Sequence, residues 1–224
     1  MIGFISDIHG NFPALQAVIE AIDKAGCDKI ICLGDIVGYY CMPNECINLL
    51  RNRNVFSLLG NHDYYMISNT CCNSKTVKMC IDYQRQVLFS ENIAWLKSLT
   101  PMYDDELMSL RHGGWNNAIE ERFNSFDFEL VKGMSQQYYL SGHTHLQYLE
   151  HSNKYTNKIY CNPGSVGQPR DGNPKAAFAI LRDNGNMELH RVEYDIDSIV
   201  LKMKECNQGD WIWKNLYTGK KIGD

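Results

Sequence analysis

Met1-Ile2-Gly3-Phe4-Ile5-Ser6-Asp7-Ile8-His9-Gly10-Asn11 opens the chain, and its reading decides the fold. Residues 1–5 are a short apolar run stopped by Ser6-Asp7, the pattern of a buried strand. Asn11 then reads as a helix N-cap, with Pro13 suited to the first turn. Leu15, Val18, Ile19 and Ile22 recur at helical spacing, and Gly26 ends that helix. The rhythm repeats. Residues 29–33 read as a second buried strand ending at Gly34-Asp35. Residues 43–50 read as a helix with Cys46, Leu49 and Leu50 apolar, and residues 55–59 as a third strand ending at Gly60-Asn61-His62-Asp63. Such alternation implies a sheet with parallel strands covered by helices. Asp7, Asp35 and Asn61 each fall just beyond a strand's C-terminal end, the edge where open α/β sheets bind ligands.

Farther along, residues 76–99 predict helix from the broad apolar coverage of Val77, Ile81, Val87, Leu88, Ile93, Trp95 and Leu96, and Pro101 breaks it. A strand over 107–110 leads into Arg111-His112-Gly113-Gly114. Residues 116–133 are polar and aromatic, with a helix expected over 126–132; a lid and a plain connection are both open readings. The apolar run 138–140 precedes Gly142-His143-Thr144-His145. In an extended backbone His143 and His145 would share one face. Runs at 148–150 and 158–161 flank a turn at Asn153, and runs at 177–181 and 187–194 flank Asp183-Asn184-Gly185-Asn186, so two hairpins are expected. Residues 196–206 have helical spacing at Ile199, Val200 and Met203. Trp211, Ile212, Trp213 and Leu216 in the tail either pack on the body or meet a partner; for Trp211 and Trp213 packing is favoured over base stacking. No composition shift marks a linker and no repeat is present. One unit over 1–224 is expected, α/β in class, with two sheets face to face and helices outside.

At 224 residues with 44% hydrophobic residues, the chain is long enough to bury a substantial core. A net charge of -4 and a pI near 6.0 argue against electrostatic attraction to nucleic acid or an anionic membrane. An anionic substrate is not excluded, because bound cations invert the local field. The nine cysteines form no Cys-x-x-Cys, are odd in number and lie largely in apolar runs, the usage of a reducing compartment. Cys71-Cys72 is the one clustered pair. With no secretory pattern and no stretch of membrane-spanning length, a soluble cytoplasmic protein is the expectation.

Seven histidines occur, and His9, His62, His112, His143 and His145 sit at strand ends beside glycine or acidic residues. His151 and His190 do not, and read as structural or surface residues. Asp7, Asp35, Asn61 and Asp63 accompany the five. Mixed imidazole and carboxylate ligands suit zinc, manganese, iron or a similar ion. About seven donors exceed one tetrahedral site and match two ions sharing a carboxylate. Asp7-Ile8-His9, Gly34-Asp35, Gly60-Asn61-His62-Asp63, His112-Gly113 and Gly142-His143-Thr144-His145, in this order, resemble the motif set of the calcineurin-like metallophosphoesterases. Asn162-Pro163-Gly164-Ser165-Val166-Gly167 resembles the small prokaryotic-type phosphodiesterase members.

The resemblance implies a four-layer α/β/β/α sandwich of two mixed sheets flanked by helices. It implies that Asp7, His9 and His145 hold one ion, that Asn61, His112 and His143 hold the other, and that Asp35 bridges them. Two divalent or mixed-valence ions are implied; Mn, Fe, Zn, Ni and Co are not distinguished. Gly113-Gly114-Trp115 departs from the usual continuation after the motif histidine, so His112 is the least secure ligand. The implied reaction is attack of a metal-bridging hydroxide on a phosphate ester, with His62 stabilising the transition state or protonating the leaving group and Asp63 orienting it. Asn11 is either an N-cap alone or also a phosphate contact. Pro163 to Arg170 is either a loop whose amides face phosphate, with Arg170 as a clamp, or a structural turn. A small phosphodiester leads as substrate. A dinucleoside-polyphosphate hydrolase, a protein phosphatase and a non-catalytic protein-binding scaffold are the alternatives; the retention of every ligand and of His62 argues against the last.

Overall fold

Among the described residues ten strands make two five-stranded sheets whose facing sides enclose one apolar layer. The computed structural model describes residues 1–68, 70 and 74–223, so the Cys71-Cys72 pair lies outside the described residues. In the first sheet, β1 (Ile2–Ile5), β2 (Lys29–Cys32) and β3 (Phe56–Ser57) run parallel, and the hairpin of β9 (Ala176–Leu181) and β10 (Met187–Val192) joins antiparallel on the free side of β1. The second sheet has order β4-β5-β6-β8-β7. Its core is parallel β5 (Met108–Arg111), β6 (Tyr138–Leu140) and β8 (Ile159–Pro163), edged by antiparallel β4 (Met102–Asp104) and β7 (Gln147–His151). Two mixed sheets with flanking helices are the expected architecture, and both expected hairpins form. The third strand is shorter than its apolar run suggests; Leu58 instead bridges Thr100.

Strand periodicity assigns the layers. Phe4, Ile31, Leu33 and Leu58 of the first sheet meet Leu110, Tyr138, Leu140 and Cys161 of the second. Ile5 and Cys32 face the other way, onto α1 (Phe12–Lys24) and α2 (Pro43–Asn52). The α1 stripe is Leu15, Val18, Ile19 and Ile22, as its spacing requires, and Asn11 Oδ1 caps it by accepting from the Ala14 N–H. α6 (Ile196–Glu205), α7 (Asp210–Trp213) and a 3₁₀ turn beyond it pack Ile199, Met203, Ile212 and Leu216 around Tyr40. The tail therefore packs on the body, although Trp211 stays exposed. Among the described residues no helix is long and apolar enough to cross a membrane.

The helix expected over 76–99 is two helices, α4 (Lys75–Val87) and α5 (Ser90–Lys97). Asn44 of α2 separates them. Its Nδ2 donates to Val87 O at 2.8 Å, and its Oδ1 accepts from the Phe89 N–H at 3.0 Å. One carboxamide thus caps both ends, where apolar coverage showed no break. On the outer face of the second sheet, residues 115–134 form a cover with a single 3₁₀ turn, Phe128–Val131, in place of the helix expected over 126–132. Phe126 stacks on Tyr160 with centroids 4.0 Å apart. The segment is a packed connection, not a lid.

Candidate metal centre

Loops leaving β1, β2, β3, β5 and β6 at their C-terminal ends converge on one buried cluster. Asp7, His9, Asp35 and His145 form one group of potential ligands, and Asp35, His112 and His143 form a second, with Asp35 common to both. Asp35 Oδ2 lies 3.7 Å from His9 Nε2, and Oδ1 lies 3.4 Å from His112 Nε2. Asp7 Oδ1 lies 3.3 Å from His145 Nε2, and Asn61 Oδ1 lies 3.1 Å from His112 Nε2. His143 and His145 fall into different groups.

They do not reach them from an extended strand. β6 stops at Leu140, and His143 and His145 have φ of 66° and 65°. Asp7, His9 and Asp35 are also left-handed, at 55°, 53° and 55°. Each such residue costs about 1–3 kcal/mol, and the surrounding structure must hold it there. Here cross-loop hydrogen bonds do so: the Asp7 N–H to Gly34 O, the His9 N–H to Asp35 O, and the His143 N–H to Asp7 Oδ2, each 3.0 Å. Gly142 is required beside them, because a Cβ there would lie 2.0 Å from Ser6 Oγ.

The donor chemistry calls for cations. His9 Nδ1 lies 3.0 Å from Val37 O, His145 Nδ1 lies 2.6 Å from Gln168 O, and His112 Nδ1 lies 2.8 Å from Leu33 O. A carbonyl oxygen only accepts, so each Nδ1 carries a proton, and the neutral rings of His9 and His145 turn their Nε2 lone pairs inward. The Nε2 atoms of His9 and His145 then face each other at 3.0 Å. Asp7 Oδ1 and His143 Nε2 are buried with no hydrogen-bond partner. Lone pairs converging on lone pairs are stable only around positive charge. The residues present therefore fit divalent metal ions.

Burial, with Asp35 close by, pushes the Asp7 carboxyl up to about 7. Burial drives His9, His143 and His145 down, so they are neutral candidate ligands. For His112 burial acts downward too, but the Asp35 carboxylate outweighs it and holds the ring up to about 9. A metal ligand must give up that proton. Adding Mn²⁺ to the metal-stripped protein in weak buffer at about pH 7 is therefore expected to release protons, chiefly from His112. Apparent affinity should rise with pH until about 9, where His112 deprotonates unaided. Affinity flat between about pH 6 and 9 would count against His112 as a ligand.

Residues 1–184 match the calcineurin-like phosphoesterase superfamily domain. The chain belongs to that superfamily. An uncharacterised protein of Methanocaldococcus jannaschii is 34% identical, over 98% of each chain. A phosphodiesterase of Escherichia coli, YfcE, is 26% identical, over 80% of this chain and 85% of its own. Among solved structures, a metallophosphoesterase from Sphaerobacter thermophilus is 30% identical, with a TM-score of 0.83, covering 97% of this chain and 98% of that one. Members of the superfamily are metal-dependent phosphoester hydrolases, and the cluster above is this chain's candidate for the metal.

His62 sits in the first turn of α3 (Asn61–Ile67), beside the cluster. Its backbone N–H donates to Asp35 Oδ1 at 2.8 Å, and its ring Nδ1 has no partner. Burial pushes its ring down to about 4. A Cβ on Gly38 would meet His62 Nδ1 at 2.1 Å, so only glycine fits there. Asp63 does not orient His62, contrary to the expectation. Its Oδ1 accepts from the Ile36 and Val37 N–H groups at 2.9 and 3.0 Å, and its Oδ2 accepts from the Gly60 N–H at 3.0 Å. Asp63 pins the loop that follows Asp35.

Asn11 offers nothing to substrate. Its oxygen caps α1, and its Nδ2 donates to Gly167 O at 2.9 Å and to Tyr194 Oη at 3.2 Å. Four amides of 164–168 are also engaged: Gly164 N–H to Asn162 Oδ1 at 2.9 Å, Val166 N–H to Ser6 O at 2.9 Å, Gly167 N–H to Asp7 O at 3.0 Å and Gln168 N–H to Ser165 Oγ at 2.7 Å. That loop is a structural turn which holds β1's ligand loop. Arg170, by contrast, lies over the ring of Tyr39 at 5.7 Å and donates to Tyr39 Oη at 3.1 Å. Tyr39, left out of the sequence reading, packs its ring 4.6 Å from His9 and 4.7 Å from His62. Gly38-Tyr39-Tyr40, shortly after the Gly34-Asp35 motif, was the only signal for it.

Proposed function

We propose that the chain is a dimetal-dependent phosphoesterase acting on a small phosphate ester, most readily a diester, with residues 1–224 working as one unit. The supporting observation is the sharing of Asp35 between two ligand groups whose Nε2 lone pairs converge. Asp7, His9 and His145 would hold one ion, and Asn61, His112 and His143 the other, with Asp35 between. Ions bound there supply Lewis acidity, lowering the proton affinity of a water and neutralising phosphoryl oxygens. Backbone carbonyls of Leu33, Val37 and Gln168 hold the Nδ1 protons, so the His9 and His145 lone pairs need no rearrangement when ions bind and His112 has only its Nε2 proton to lose.

His62 stands outside both ligand groups. With its ring down at about 4 it is neutral at pH 7. It therefore presents a ring N–H to a phosphoryl or leaving oxygen without carrying full charge. Tyr39 screens His9 and His62 from water, and Arg170, stacked on Tyr39, supplies positive charge at the same rim. Cys27, Cys32, Cys41, Cys46, Cys161 and Cys206 are free thiols, which suits a cytoplasmic enzyme.

Hydrolysis of bis-p-nitrophenyl phosphate with Mn²⁺ or Ni²⁺, with and without chelator, is the test. Metal-dependent release of nitrophenolate is expected. If folded, metal-loaded protein turns over neither mono- nor diester, the non-catalytic scaffold becomes the better reading.

A further inference from the structure

Arg53, Arg85, Arg111, Arg182 and Arg191 each pair with a carboxylate. Arg170 is half-buried beside the metal cluster, yet among the described residues its guanidinium meets only neutral oxygens. Nε and Nη2 donate to Gln168 Oε1 at 2.9 and 2.5 Å, and Nη2 also donates to Tyr39 Oη at 3.1 Å. Both N–H groups of Nη1 stay unused among the described residues. A guanidinium drawn partly out of water without a counter-ion is costly until an anion joins it. Direct contacts fix its place. The Arg170 backbone N–H donates to His145 O at 3.4 Å. Its guanidinium lies over the Tyr39 ring, which itself packs on the rings of His9 and His62.

Gln168 is fully buried and ties this guanidinium to the cluster. Its carbonyl accepts from His145 Nδ1 at 2.6 Å, and its N–H donates to Ser165 Oγ, which donates to Asp7 O at 2.7 Å. Arginine only donates, so the Gln168 carboxamide must turn Oε1 toward it and Nε2 away. Nε2 then donates to Tyr40 Oη at 3.1 Å, and Asn215 Nδ2 donates to the same hydroxyl at 3.2 Å. Asn215 lies in the C-terminal tail, beyond the 1–184 match to the superfamily domain. The tail holds the Arg170 loop at a second point, where the Gly172 N–H donates to Gly219 O at 2.9 Å. Three buried polar side chains in a row are costly where apolar ones would fill the space. What the row of Asn215, Tyr40 and Gln168 adds is one fixed orientation for the Arg170 guanidinium.

We propose that Gln168 and the tail residue Asn215, joined through Tyr40, are positioning residues for the substrate phosphate, holding Arg170 in place with its charge uncompensated and Nη1 left for a phosphoryl oxygen. This rests on the phosphoesterase reading of the same cleft. Neutrality at position 168 is essential to it. A carboxylate there would hold the guanidinium equally well and cancel its charge. The C-terminal tail is thereby part of the binding machinery as well as a cover for the apolar residues around Tyr40.

Calorimetric titration of the manganese-loaded protein with inorganic phosphate reads this contact without turnover. Gln168→Met removes the carboxamide at similar volume and is expected to weaken phosphate binding about tenfold, the scale of a charge-assisted hydrogen bond. Tyr40→Phe cuts only the link to the tail, and should weaken binding several-fold with metal content unchanged. Gln168→Glu keeps both partners, with Tyr40 now donating, and should still lose about tenfold through charge alone. In an Arg170→Gln background, Gln168→Met and Tyr40→Phe should have no further effect. A second readout needs no metal. The Arg170 Nε–H resonance, identified by its loss in Arg170→Gln, should be protected from solvent exchange in wild-type and Gln168→Glu protein and exposed in Gln168→Met. Wild-type protein that binds no phosphate, full affinity in Gln168→Met and Tyr40→Phe, or equal losses with and without Arg170 would each overturn the proposal. Failure of the phosphoesterase reading shows separately, as absent metal-dependent turnover of bis-p-nitrophenyl phosphate, while phosphate binding still decides the role of Gln168 and the tail.

Discussion

Asp35→Asn is expected to lower metal content from two ions to at most one and to reduce turnover by at least about 10³-fold, the scale of losing one preorganised electrostatic contact. The two carboxylate oxygens face different ligand groups, Oδ2 toward His9 and Oδ1 toward His112. An amide offers one acceptor and turns an NH₂ toward the other group, where it repels a cation. The substitution changes neither side-chain shape nor volume, so the effect reads charge and not packing. A second readout separates it from misfolding. Asp35 is what holds His112 up to about 9. In metal-stripped Asp35→Asn protein the His112 ring should titrate well below that value, which proton NMR measures. Two bound ions at wild-type affinity in the variant would remove Asp35 as the bridge.

His62→Ala is expected to leave metal content near normal and to lower turnover by roughly 10²–10⁴-fold. The ring belongs to neither ligand group, yet it lies 4.6 Å from the His9 ring and its Nδ1 is unpartnered. Its backbone bond to Asp35 survives the substitution. Leaving groups of different basicity locate the contact. A deficit that grows with leaving-group basicity places the ring N–H on the leaving oxygen. A deficit equal for all leaving groups places it on a phosphoryl oxygen. Equal activity in mutant and wild type would take His62 out of the mechanism.

How far the residues could be read in advance depended on what held them. β1, α1 and β2 are regular elements whose apolar spacing matches their burial, so local pattern sufficed. The break between α4 and α5 was illegible because its cause, Asn44, is distant in sequence. α3 was missed because Asn61, His62 and Asp63 are buried for the cluster and obscure any amphipathic pattern. The cover over 115–134 was unreadable for a related reason. It packs aromatic rings on Tyr139 and Tyr160 with almost no regular structure.

At the centre itself, the sequence determined which donors exist and in what order: Asp7, His9, Asp35, Asn61, His112, His143 and His145, each at the end of a strand. It also offered more candidate donors than one tetrahedral ion takes. Tertiary structure alone decided how they meet. The extended-strand argument for His143 and His145 failed because both are left-handed, a conformation enforced by loops from elsewhere in the chain. The ring tautomers come from carbonyls of Leu33, Val37 and Gln168, and Asp63 holds three backbone amides where adjacency had suggested a partner for His62. Side-chain identity is local information. The direction of a lone pair and the sign of a φ angle are set by contacts between strands far apart in sequence.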